Sequence, residues 1–172
     1  MYNINMVINF KYTLKEDFRI LFRVYKNPRD YTELRSVIWN PFVMLSFILS
    51  RENMLKDIRN NWANCETDVS KAFNDLKLSI KTPITCYVTS VGPEGMFDPD
   101  RNAIHARYFQ SGGWKEFLET IVHESVHLAV YNEKTYKYEH GEKMVDEILE
   151  TSTMKKVLNQ RANVVTESTN HI

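Results

Sequence analysis

Along the first dozen residues polar and apolar side chains alternate. Ile4, Met6, Ile8 and Phe10 fall on one side, the period of two expected of a strand with one buried face. From residue 14 the period changes. Leu14, Phe18, Leu21, Phe22 and Tyr25 recur at steps of three or four, which predicts a helix stopped by Asn27-Pro28. A second short helix is expected from about Thr32 to Trp39. Beyond Pro41 a long helical pattern carries Met54, Leu55, Ile58, Trp62, Cys65, Val69, Phe73 and Leu76, and core packing explains it fully.

After Lys81-Thr82-Pro83 the character shifts. "ITCYVTSVG" and "AIHARYF", the latter at 103–109, are rich in β-branched and aromatic residues, and the turn-forming "PEGMFDPDRN" lies between them, so the two predict a hairpin with a long loop. A helix is expected to open near Trp114, using Phe117, Leu118, Ile121, Val122, Val126 and Val130. "YNEKTYKYEH" shows no clear period. A last helix is predicted from near Gly141, burying Met144, Val145, Ile148, Leu149, Met154, Val157 and Leu158. The pattern is that of one α+β domain over residues 1–172: a mainly helical part at 1–80, a hairpin and two helices at 83–158, and a weakly apolar tail at 159–172 expected to fray.

Composition narrows the function classes. The 22 basic and 22 acidic residues balance, so no overall excess of charge is offered to nucleic acid or to an anionic membrane, and neither is expected as a partner. The most apolar stretch, 37–50, is interrupted by Asn40-Pro41 and falls short of the roughly 20 residues a spanning helix requires. The two cysteines, Cys65 and Cys86, form no C-x-x-C pair, and the N-terminus has neither a basic region nor an unbroken apolar run. A cytoplasmic protein is expected.

The candidate chemistry lies in "IVHESVHLAV", residues 121–130. On a helix, His123 and His127 stand one turn apart on the same face, so both imidazoles can bind one ion at about 2.0 to 2.1 Å. Glu124 then projects beside the ion, where it can take a proton from water and return it to a leaving amine. The competing reading is a core helix with two structural histidines. A catalytic zinc site also needs a third protein ligand and an open position, for which His140, Glu142 and the Asp146/Glu147/Glu150 group are the candidates downstream.

With its upstream strand and glycine-containing connection, "FLETIVHESVHLAV" resembles the active-site helix of the zincin metallopeptidases, and Glu142-Lys143-Met144-Val145-Asp146 matches the E-x-x-x-D pattern of the gluzincin branch. The resemblance implies a zincin-like fold: a small, mostly antiparallel sheet packed on the active-site helix, here with additional N-terminal helices. It implies Zn2+ held by His123, His127 and Glu142, Glu124 as general base, and Asp146 orienting a ligand histidine. Glu142 follows His127 by 15 residues, shorter than in most gluzincins and closer to their minimal members. His140 is the alternative third ligand, because other zincin branches use a third histidine. Tyr131, Tyr136 and Tyr138 are candidate oxyanion stabilisers. The implied partner is a peptide or protein substrate lying extended along strand 103–109. Peptide deformylases share the five-residue motif but add a cysteine in a segment that "ITCYVTS" does not match. The second functional reading is a zincin-like binding or regulatory module whose metal is structural or missing.

Overall fold

The computed structural model describes residues 5–26, 41–108, 113–131 and 138–159. The alternating N-terminal segment forms β1 (Ile8–Lys11), with Ile8 and Phe10 buried and Asn9 and Lys11 exposed. Helix α1 (Leu14–Lys26) ends one residue before the predicted breaker. Helix α2 (Pro41–Asp75) opens on a proline, whose fixed φ suits a first helical turn. It closes where Lys77 turns to φ 57° and Leu78 donates its amide to the Phe73 carbonyl at 2.9 Å, satisfying a terminal acceptor. Strands β2 (Ile84–Thr89), β3 (Gly95–Asp98) and β4 (Ala103–Arg107) follow, then α3 (Gly113–Val130) and α4 (Tyr138–Leu149). Residues 152–159 form a further helix, α5. The expected helix at 32–39, the opening residues 1–4 and the tail from 160 lie outside the described residues.

The sheet has the order β1-β2-β4-β3. β1 pairs with β2 and β2 with β4 in parallel, and only β3 and β4 are antiparallel. This corrects two expectations. The sheet is mixed with mostly parallel pairings, not mostly antiparallel, and "ITCYVTSVG" does not form a hairpin with "AIHARYF". The antiparallel partner of β4 is β3, a four-residue strand inside the turn-rich segment. A single 3-10 turn at Pro99–Arg101 joins the two, closed by Asn102 in the left-handed region. A third correction concerns position: β4 is paired on both sides and all five of its residues are buried, so it is not an open edge for a substrate. β3 is the outer strand.

The sheet separates two unlike layers. Ile8, Phe10, Ile84, Cys86, Val88, Ile104 and Ala106 join the buried side chains of α2 and α3, including Trp62, Phe73, Leu118 and Val126, in one core. Helix α1 covers the opposite face. Of the apolar set that marked it as a helix, only Leu21 is buried, together with Ile20, whereas Phe18 and Phe22 are each 59% exposed and Tyr25 82%. The helix turns its acids inward. Asp17 accepts hydrogen bonds from Ser90, through both backbone and hydroxyl, and from Tyr12, while Glu16 accepts two from Arg101. Gly92, at φ 93°, allows this approach, since a Cβ there would stand 2.2 Å from Ile20.

The predicted last helix is two. α4 begins at Tyr138, earlier than expected, and ends at Leu149; Thr151 then accepts the Met154 amide at 3.4 Å and starts α5, which continues through Asn159.

Candidate metal centre

Helix α3 packs on β3 and β4 through Phe117, Leu118, Ile121, Val122 and Val126. Its amphipathic period then fixes which way the polar residues point. His127 turns into the protein with 1% of its side chain exposed, and His123, one turn earlier, is 29% exposed at the mouth of the site. The His127 ring lies flat on Phe97 of β3, centroids 4.8 Å apart and planes within 4°. Two constraints therefore orient this imidazole, its own helix and the sheet edge.

Helix α4 supplies the third group. Val145 is buried against α3, which turns Glu142, three residues earlier, toward the two histidines. Glu142 Oε1 stands 3.3 Å from His127 Nε2, Glu142 Oε2 stands 3.6 Å from His123 Nε2, and the two Nε2 atoms are 3.0 Å apart. Three ligands at about 2.0 to 2.1 Å from one tetrahedral ion are separated by roughly 3.3 to 3.4 Å. The observed distances straddle that value, so the donor set fits a small divalent cation as it stands. Two imidazoles and a carboxylate are also a donor mixture that suits zinc.

Electrostatics agree with the geometry. Burial holds His127 below the ordinary imidazole value although Glu142 and Asp146 pull it upward, which keeps the ring in its neutral, ligating form. Glu124, next to the ligands in sequence, is 7% exposed; burial first, and the charge of Glu142 second, push its carboxyl up to about 8. No lysine or arginine among the described residues pairs with Glu124 or Glu142. The centre thus gathers two carboxyls and two imidazoles, with no lysine or arginine of the described residues paired to either carboxyl.

Of the predicted residues, His123, Glu124, His127 and Glu142 come together. His140 does not: it sits exposed on the first turn of α4, outside the converging group. Asp146, one turn past Glu142, is exposed and acts on His127 through its charge. Tyr131 is partly buried, its ring edge-on to Phe97 with centroids 6.0 Å apart. Tyr136 and the side chain of Tyr138 lie outside the described residues.

Two residues of β3 complete the site without having been marked by the sequence. Phe97 is the platform for His127. Gly95 faces Glu124 so closely that a Cβ would stand 2.3 Å from Oε1. Their strand, "GMFD", is only four residues long, lies between Pro93 and Pro99 and has no alternation of apolar and polar positions. Beside Glu124 opens a cavity of about 810 Å³, lined by Gly95, Glu94, Arg107, Glu116 and His123 among others.

Comparison with protein-family models, curated sequences and solved structures gives no match, so the reading of this centre rests on its own geometry.

Proposed function

We propose that the chain is a zinc-dependent metallopeptidase in which His123, His127 and Glu142 hold the ion and Glu124 is the general base. The observation that carries this reading is the convergence of three ligand atoms from two helices, 3.0 to 3.6 Å apart, beside a buried carboxyl and an open cavity. Held by these three residues, a divalent ion would supply a Lewis acid for the scissile carbonyl and would lower the pKa of water toward neutrality.

The chain's own groups do the rest. Beside a cation the Glu124 carboxyl would fall from about 8, and the carboxylate then takes the proton from the attacking water and delivers it to the leaving amine, so that no charge is stranded on the departing nitrogen. Phe97 holds His127 in plane, which fixes the direction of its Nε2 lone pair. The outer edge of β3 passes Glu124 at Gly95, and among the described residues no strand pairs with that edge. An extended peptide adding to β3, rather than to strand 103–109, would lie across the base and the ligands with its backbone hydrogen-bonded.

Glu124→Gln tests the reading. The variant keeps the shape and the metal ligands but cannot accept the proton. It should retain zinc while hydrolysis in a peptide library falls by about 10² to 10⁴-fold. Full hydrolysis by that variant would refute the assignment. Zinc in both proteins with hydrolysis in neither would favour the binding-module reading.

A further inference from the structure

The outward face of α1 has a composition at odds with the neutral whole. Its only acids, Glu16 and Asp17, are turned inward at 5% and 0% exposure. What faces outward is aromatic and cationic. Phe18, Phe22 and Tyr25 stand 59%, 59% and 82% exposed and Leu14 39%, with Lys15 and Lys26 exposed at the two ends of the helix, while Arg19 pairs with Glu16 and Asp98 and Arg23 donates to Met96. Three rings exposed to that extent present on the order of 400 Å² of apolar surface, within the range of the largest patch on a typical monomer. The start of α2 adds to it. Residues 41–50 carry no charged side chain, Leu45 and Leu49 are 54% and 79% exposed, and Phe47 against Tyr12, centroids 5.1 Å apart, sets this stretch beside the start of α1.

We propose that this face docks the protein on an anionic lipid surface. The helix has the make-up of one that lies in a bilayer interface: rings and leucines to enter the headgroup boundary, and long cationic stems at the flanks to reach lipid phosphates. Lys26, poised 4.6 Å over the Phe22 ring, already shows that flanking arrangement. Two other occupants fit less well. Protein interfaces are depleted of lysine at their centres, and leucines offer no face on which nucleic-acid bases stack. The inversion of α1 is held from inside by Arg101, His105 and Ser90, so the outward face needs no partner to stay exposed. No spanning segment is involved; no described helix is long and apolar enough to cross a membrane.

The test is co-sedimentation of the full chain with vesicles of phosphatidylcholine alone or containing about 30% phosphatidylserine. Each cation near such a surface contributes roughly a fivefold factor, so partitioning should be about tenfold or more stronger on the anionic vesicles and fall with salt. Phe18→Ser/Phe22→Ser changes two exposed positions and should abolish binding with an unchanged circular dichroism spectrum. Lys15→Gln/Lys26→Gln should remove the preference for phosphatidylserine and keep the weak binding to neutral vesicles. The proposal is overturned if the folded wild type ignores anionic vesicles, or if the phenylalanine variant binds them as well as the wild type. It is equally overturned if the wild type is a dimer that the phenylalanine variant dissociates, or if it captures a single-stranded oligonucleotide and no vesicles.

Discussion

On the α1 side of the sheet, Glu16 meets His105 Nε2 at 3.1 Å and takes two hydrogen bonds from Arg101 at 3.0 and 3.1 Å; on the α3 side, Glu142 meets His127 Nε2 at 3.3 Å and His123 Nε2 at 3.6 Å. The residue types are the same and the closure is not. Arg101 neutralises Glu16 and stacks over Tyr87, which in turn stacks on His105, so charge and hydrogen bonds balance within the fold. Burial tends to raise the Glu16 carboxyl, yet the hydrogen bonds from Arg101 and His105 and the charge of Arg101 outweigh it and hold Glu16 at about 2. Glu124, lacking any such partner, is held at about 8. A cluster completed by an arginine is a structural tie. One that gathers carboxyls and imidazoles without a lysine or arginine is the arrangement that the proposed function assigns to a cation from solution.

The sharpest way to break that contrast is to measure metal. Protein purified without a metal-binding tag should contain about one zinc per chain, and Glu142→Ala should weaken its binding by more than the roughly 10 to 100-fold that loss of an outer partner costs. His140→Ala should leave zinc content unchanged, because that side chain stands apart from the group. Removing zinc with a chelator should lower Tm, since an ion that binds the folded state stabilises it. If His140→Ala and not Glu142→Ala loses the ion, the convergence on α4 has been misassigned.

A smaller effect probes the wall of the same site. Gly95→Ala on β3 puts a methyl group where Glu124 Oε1 now lies, and either the strand or the carboxylate must move. A misplacement of about 1 Å costs on the order of 100-fold in rate, so kcat should fall by roughly 10 to 100-fold. Zinc content should not change, because the ligands sit on α3 and α4. Gly92→Ala is the matched comparison on the other face: it crowds Ile20 instead, so it should lower Tm and spare zinc binding. An unaltered kcat in Gly95→Ala would mean that the base is positioned by something other than the edge strand.

The two faces also differ in how far they could be read from sequence. The α3 side was legible because His123 and His127 stand one helical turn apart and Glu142 opens an E-x-x-x-D spacing, both local patterns. The end of the first helix at Lys26 followed from the Asn27-Pro28 breaker for the same reason. The α1 side was not legible. A stripe of Leu14, Phe18, Phe22 and Tyr25 normally marks a buried face, but the donors that draw Glu16 and Asp17 inward come from Arg101, His105 and Ser90, more than 70 residues away in sequence. Pairing suffered likewise. "ITCYVTSVG" and "AIHARYF" are the two strongest strand signals, yet the short β3 takes the hairpin partnership and leaves β2 parallel to β4. The site's own Phe97 and Gly95 went unmarked because that strand has only four residues.

The weakest expected effect tests the closed network itself. In Glu16→Gln the amide keeps the volume but not the charge, leaving Arg101, 30% exposed, to find water. Charge-assisted hydrogen bonds of this kind contribute about 1 to 3 kcal/mol, which sets the loss expected at neutral pH. The pH dependence follows from the direction of the shift. A carboxyl lowered to about 2 in the folded protein, against about 4.5 when unfolded, stabilises the fold fully above about pH 4.5 and progressively less as pH falls toward 2. The difference in stability between wild type and Glu16→Gln, measured by urea unfolding, should therefore be constant from pH 7 to about 5 and shrink below about 4.5. His105 does not reverse this, because burial holds it below its ordinary value and it stays neutral where Glu16 is charged at neutral pH. A stability difference that persisted undiminished at about pH 2 would show that Glu16 acts through packing, and the contrast between an arginine-closed cluster and a cation-seeking one would lose its first half.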